Sequence, residues 1–219
     1  PSDYGQGTRE SNLKCDFDKG VTIEFWLTTG SFIPLAKTEK QVIVDIWNNE
    51  LTSSTDYGRI TLALNSAVTG DNSPFIITAQ GATSGSGFTS ASIGSGISRD
   101  TLQSWHHYAV TLYNSSSQLR AEFYVDGVIN DDTLFAASTL SELPSKNMMG
   151  RVGSLLYSPS ASAEVAGGTD LSPTILVGAG KLNGSLDEFR FWKVRRSAKE
   201  IGRHWNTQVR GGVNSDISN

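Results

Sequence analysis

The sequence predicts an all-β protein, a two-sheet antiparallel sandwich closed by a short C-terminal helix. Three observations predict it. Strand-length segments follow one another with apolar residues at period two, each bounded by Asn, Asp, Gly or Ser. No helical period is expected before Ser197. Glycine is abundant, with 22 residues, as many turns require.

Taken in order, residues 12–18 alternate Leu13, Cys15 and Phe17 against Lys14 and Asp16, the pattern of a half-buried strand. Residues 21–28 follow, with Val21, Ile23, Phe25 and Leu27 on one face and Glu24 and Trp26 on the other. Segments 41–47, 58–65 and 74–80 are further strands, and 81–87 is a small-residue loop. Segments 104–114 and 118–126 pair as a hairpin across Ser115, Ser116 and Ser117. Residues 135–173 read as one long loop, a length expected to be functional or to hold a short strand or helical turn of its own. Within and beside it, residues 134–143 have weak helical character.

The C-terminal region is the most explicit. From Asn183 to Ile201 the chain reads NGSLDEFRFWKVRRSAKEI. Asn183-Gly184 makes a turn, residues 186–194 a strand, and Ser197 with Glu200 the spacing of a capping box. Ile201 and Trp205 lie four apart and share a helical face.

A chain of 219 residues fits one domain, expected over residues 1–219 with its core at about 12–209, and buries about 70% of its unfolded surface. It begins at Pro1 and is expected to be cut from something longer. With 18 Lys and Arg against 22 Asp and Glu, the net charge of -4 offers no basic field for nucleic acid. No apolar run has the length of a membrane-spanning helix, so no membrane insertion is expected. Cys15 is the single cysteine, so no intrachain disulfide can form.

Three strings carry a family resemblance: Phe25-Trp26 in the second segment, WHHYAVT from Trp105 with FYVDG from Phe123, and the closing run from Gly184 to Ile201. They arrive in the order found in the laminin-G-like or pentraxin-like jelly rolls of the concanavalin A-like lectin and glucanase superfamily, which this chain resembles from about residue 13 to 205. The resemblance implies a jelly-roll topology. It also implies structural, core-packing roles for Trp26, Trp105, Trp192 and Trp205, and for Asp187 a hydrogen bond to loop backbone. Animal extracellular members often carry a disulfide; its absence here points to a microbial or viral source. The tail from His204 to Asn214 resembles segments following such domains in structural proteins of tailed phages.

Strand parity places the turns at 48–57, 81–87 and 115–117 and the long 135–173 loop at one end of the sandwich, the expected binding rim. Jelly rolls of this resemblance often hold calcium at such a rim, and calcium takes hard oxygens. Asn49, Glu50 and Asp56 supply them within one loop, and Asp170 from another; turn-forming roles for these residues are the competing explanation. Sugar binding needs a flat aromatic flanked by donors and acceptors. Trp47, Asn48, Asn49, Tyr57 and Tyr157 meet that description, with burial of Trp47 beneath the loop as the alternative.

Glycanases of the superfamily carry an E-hydrophobic-D-x-x-E strand motif. The nearest string here, from Val42 to Glu50, keeps only Asp45 on its strand, and a retaining hydrolase needs two carboxyls about 5 Å apart. Asp187 and Glu188, as strand neighbours, are expected on opposite faces. His106 and His107 likewise cannot chelate one metal. No enzyme activity is therefore expected. Two readings remain: a carbohydrate-binding module recognising a glycan or cell-surface polysaccharide at an extracellular or virion surface, or a virion structural domain contacting other proteins.

Overall fold

The computed structural model describes residues 13, 15–30, 40–48, 58–65, 73–80, 89–138, 148–156 and 180–208. Within them the chain forms β1 (Val21–Thr29), β2 (Lys40–Trp47), β3 (Arg59–Asn65), β4 (Phe75–Gln80) and β5 (Thr89–Ile93). There follow α1 (Arg99–Leu102), β6 (His106–Ser115), β7 (Gln118–Val125), β8 (Val128–Ser138), β9 (Met149–Val152), β10 (Gly184–Trp192) and α2 (Ala198–His204). Two five-stranded sheets result, in the orders β10-β1-β6-β7-β8 and β5-β4-β3-β2-β9, and every pairing is antiparallel. This is a jelly-roll sandwich with a short C-terminal helix.

Period-two patterning explains the core. Ile23, Phe25 and Leu27 of β1 share their inner face with Tyr108, Val110 and Leu112 of β6. They pack against Ile43 and Ile46 of β2, Ile60, Leu62 and Leu64 of β3, and Phe75 and Ile77 of β4. Four rings form its centre, with centroids 4.9 Å apart for Phe75–Tyr108, 4.7 Å for Phe75–Phe123 and 5.9 Å for Phe25–Tyr108. Such stacked and tilted pairs add to the stabilisation from area alone.

Several elements differ from the sequence reading. Cys15 and Phe17 are buried as expected, but this segment runs into a turn rather than a strand, and the Phe17 carbonyl accepts from Asn114 N–H at 2.8 Å. β5, built from Thr, Ser and Ala around Ile93, has too little apolar content to read as a strand; pairing along β4 makes it one. β8 replaces the helix expected from 134 onward, because pairing with β7 overrides weak local propensity. The expected short strand inside the long loop is β9, docked on β2. A single helical turn, α1, precedes Ser197's helix; Ser98 caps it by accepting from Thr101 N–H at 3.1 Å.

β10 carries a bulge. Glu24 pairs with Arg190 and Trp26 with Asp187, so Phe25 faces both Glu188 and Phe189. Glu188 sits at φ 49°, in the left-handed region, and Asp187 Oδ1 accepts its N–H at 2.8 Å. The simple alternation expected for Asp187 and Glu188 is broken there, and the Asp187 hydrogen bond to backbone is a local one.

Antiparallel pairing fixes the two ends. Trp47, Arg59, Gln80, Thr89 and Met149 lie at one end of their sheet. In the other sheet Ser115, Gln118 and Ser138 lie together at one end, while His106, Val125, Val128 and Gly184 lie at the opposite end. Asp131, near the start of β8, binds the two sheets by accepting from Gly94 and Ser95 N–H at 2.9 and 3.0 Å, just past the end of β5. The strand ends bordering 48–57, 81–88, 115–117 and 139–147 therefore share one rim.

Candidate functional site

At that rim, β2 ends on Trp47 and Asn48 and β3 begins at Arg59. Asn48 is buried and closes the hairpin: its N–H donates to the Gly58 carbonyl at 3.0 Å, and its side-chain Oδ1 accepts from Gly58 N–H at 3.1 Å. Trp47 is 8% exposed, with the Arg59 guanidinium over its ring at 5.7 Å. Tyr57, Asn49, Glu50, Asp56, Tyr157 and Asp170, the other expected ligand and calcium residues, lie outside the described residues. Among the described residues no group of three His, Cys, Asp or Glu is placed to hold a metal.

Beneath the rim lies a feature the sequence reading treated only as a solitary carboxylate. Asp45 is fully buried and takes a bidentate pair from Arg59, Nε at 2.7 Å and Nη2 at 2.6 Å. It also accepts from the Thr61 hydroxyl at 3.1 Å and from Leu156 N–H at 2.8 Å. Such a carboxylate is committed to holding β2, β3 and the chain beyond β9 together, and is not a poised nucleophile. The signal was the cross-strand pair Asp45–Thr61 flanked by Arg59, visible only once the hairpin register is known.

The outer face of the other sheet is covered by α2 and the linker before it. Glu24, fully buried, receives Arg196 Nη1 and lies 3.6 Å from Arg190 Nη1 and 3.7 Å from His107 Nε2. Burial alone raises the Glu24 pKa; His107 and the Arg196 guanidinium outweigh it and hold the carboxyl below its usual range. Glu122 is a second hub, accepting from Tyr113 at 2.8 Å, Tyr124 at 2.9 Å, Thr111 at 3.2 Å and Arg195 at 2.8 Å. Its pKa too is lowered: burial opposes, and the tyrosine hydroxyls and Arg195 prevail.

The two histidines part company as expected. His107 is buried against Trp26 and Trp205, at 5.8 and 6.2 Å between centroids. His106 pairs with Asp126, Nδ1 to Oδ2 at 2.7 Å. Trp26 and Trp205 stack at 5.6 Å and Trp192 lies under the Arg196 guanidinium at 4.5 Å, both structural roles as the resemblance implies. Trp105 does not follow it: this indole is 49% exposed. It enters β6 at the end of the sandwich, and among the described residues none packs fully across it.

The fold and the networks on its faces define a jelly-roll sandwich with connections at both ends, those bordering Trp47–Arg59, Gln80–Thr89 and Ser115–Gln118 sharing one rim. No protein-family model matches the chain, and no curated protein matches it in sequence. Among solved structures it is similar to the binding domain of botulinum neurotoxin serotype D, at 10% identity over 90% of this chain and 38% of that one, with a TM-score of 0.50. It is also similar to a SAP-like pentraxin from Limulus polyphemus, at 8% identity over 87% of this chain and 71% of that one, TM-score 0.44. A third is domain 4 of an extracellular arabinanase from Geobacillus stearothermophilus, solved with arabinotriose, at 11% identity over 87% of this chain and 68% of that one, TM-score 0.44. The chain spans little more than a third of the toxin domain. At 10% identity, what the toxin domain shares with it is the fold alone. Among the described residues no helix is long and apolar enough to cross a membrane.

Proposed function

We propose that the chain is a non-catalytic carbohydrate-binding module of the laminin-G-like type, belonging to a larger surface or virion protein and docking a glycan at the rim. The observation that supports this is the gathering of strand ends at Trp47–Arg59, Gln80–Thr89, Ser115–Gln118 and Ser138–Met149 on one side of the sandwich. Loops grafted at such a rim carry recognition on a rigid scaffold. Asp45 and Arg59 stiffen its base. In this reading Tyr57 and Tyr157 supply sugar-stacking faces, Trp47 and Asn48 hold their hairpin, and Asn49, Glu50, Asp56 and Asp170 supply oxygens for calcium. Commitment of Asp45 to Arg59 supports the non-catalytic part.

A glycan array with the purified chain, run with calcium and again with chelator, tests it. Binding lost on Tyr57→Ala or Tyr157→Ala, or on chelation, is the expected result; a blank array from folded protein overturns the reading. A second reading, a virion structural domain contacting other proteins, is favoured by one observation: Val128, Ile129 and Leu134 of edge strand β8 are exposed apolar residues. It expects Val128→Ser with Ile129→Ser to release the chain from its parent assembly in co-sedimentation.

A further inference from the structure

We propose that Asn183 is a site of spontaneous covalent modification, at which the Gly184 amide closes on the asparagine side chain and the residue becomes isoaspartate. Its chemical counterpart, Asp126-Gly127, is held inert by the same fold. Neither statement depends on a ligand or on the rim.

The sequence supplies two candidates. Asn183 is the one asparagine followed by glycine, and Asp126 the one aspartate so followed. Glycine leaves its amide nitrogen unshielded, because no Cβ stands beside the path from the preceding side chain. Asparagine is thermally labile where that path is open.

The structure separates the two. Asn183 is exposed and lies in irregular chain just before β10. Its backbone N–H donates to Gln41 Oε1 at 2.9 Å. Its side-chain amide lies over Gly30, where an added Cβ would stand 3.8 Å from Nδ2, and among the described residues no hydrogen bond holds it. Gly184 forms the last pair of the β1–β10 ladder, with Thr29, on an edge strand. End pairs of a ladder open most readily. Nor can the fold exchange that glycine: a Cβ there would lie 2.7 Å from the Thr28 carbonyl oxygen and 3.4 Å from Thr29 Cα. Close packing thus keeps a labile dipeptide in place.

Asp126 is the opposite case. Its Oδ2 meets His106 Nδ1 at 2.7 Å, its Oδ1 accepts from His107 N–H at 2.9 Å, and its own N–H donates to the His107 carbonyl at 2.8 Å. Gly127, at φ 79°, lies against Trp205, whose Cδ1 would be 2.3 Å from an added Cβ. Turning the carboxylate onto the Gly127 nitrogen breaks both of its hydrogen bonds. Its negative charge also resists a nucleophile that the neutral Asn183 amide admits.

The chemistry balances with water alone. The Gly184 nitrogen loses its proton to solvent and bonds Asn183 Cγ; the Cγ–Nδ2 bond breaks and ammonia leaves. Water then opens the cyclic imide at either carbonyl, giving aspartate or, with the chain rerouted through Cγ, isoaspartate. The net change is an amide hydrolysed to a carboxylate, with nothing oxidised or reduced. Isoaspartate adds a backbone carbon and a negative charge where Asn183 ties the start of β10 to Gln41 of β2, in the other sheet. The Gly184–Thr29 and Ser185–Thr28 pairs should loosen first, with α2 unaffected.

Holding the intact chain at body temperature in mildly alkaline buffer tests this, with peptide mapping by mass spectrometry and isoaspartate labelled by protein isoaspartyl methyltransferase. The expected result is conversion in the peptide holding Asn183, about tenfold or more faster than at Asp126, and none in Asn183→Gln. An Asn183 that stays intact in the folded chain overturns the proposal, and its conversion in urea would then show that the fold protects it. Conversion at Asp126 as fast as at Asn183 overturns the contrast between the two. Amide exchange reads the consequence. Converted protein should exchange faster at Thr29 and Ser185 than fresh protein, whereas Asn183→Asp, which adds the charge without the extra carbon, should match the fresh sample. Equal exchange in all three overturns the loosening of β10, and faster exchange in Asn183→Asp as well overturns the added carbon as its cause.

Discussion

A fully buried carboxylate is stable only while its cation stays, and among the described residues Asp45 meets one guanidinium, that of Arg59. Asp45→Asn leaves Arg59 buried beside a neutral amide, and should cost about 3–5 kcal/mol in urea unfolding; a loss under 1 kcal/mol would show the pair to be unimportant. Cys15 makes the opposite case. Its thiol is buried, donates to the Leu13 carbonyl at 3.2 Å, and burial pushes its pKa up to about 12. It should resist a disulfide reagent in native protein at neutral pH and react within seconds in denaturant. The sequence showed Cys15 as buried through its alternation with Leu13 and Phe17, but could not show Asp45 as paired. Its partner lies 14 residues away across a hairpin, and register decides which residues meet.

Among the elements, α2 was the most legible, because its signals are local. Ser197 and Glu200 form the capping box expected from their spacing, the Ser197 N–H donating to Glu200 Oε2 at 2.7 Å and its Oγ accepting from Glu200 N–H at 3.3 Å. Ser197→Ala should cost about 1 kcal/mol, read as a lower denaturation midpoint at unchanged slope. What the helix covers was not legible. Ile201 packs on Ala109 and Tyr124, and Trp205 rests on Trp26 and Gly127. A Cβ at Gly127 would lie 2.3 Å from Trp205 Cδ1, on a backbone at φ 79°. Gly127→Ala is thus expected to loosen α2, seen as faster amide exchange at Ile201 and Trp205, with the distant β2–β3 hairpin unchanged. β8 and β5 went unread for a related reason: their Asp, Asn and Ser residues disfavour strands in isolation, and edge positions tolerate them. Trp105 was misplaced because its string resembles buried ones, whereas exposure depends on which chain passes overhead.

At the scale of the molecule, lowered carboxyl pKa values set the acid limit, those of the buried Glu24 and Glu122 together with that of Glu200 in the capping box. Glu24 and Glu122 ionise below their ordinary value of 4.5, so the folded state binds fewer protons than the unfolded one. Their contribution is complete above the unfolded pKa and is lost as pH falls through the lowered folded values. Tm should be level from neutral down to about pH 5 and fall steeply below it; Glu122→Gln should lower Tm at pH 7 and flatten that fall. A Tm indifferent to pH down to 3 would contradict this. The end of the sandwich that carries the rim follows from strand alternation, since each antiparallel crossing returns the chain; it holds only with β5 counted as a crossing, because leaving that strand out would send 115–117 to the opposite end. The bulge at Glu188 bears on crowding. β10 is an edge of its sheet, and a left-handed residue midway along it interrupts the even spacing of outward amides and carbonyls that another strand would need. Copies packed closely on one surface would therefore find it hard to zip into a continuous sheet through their β10 edges, which leaves the β8 edge as the one open to strand pairing at high local concentration.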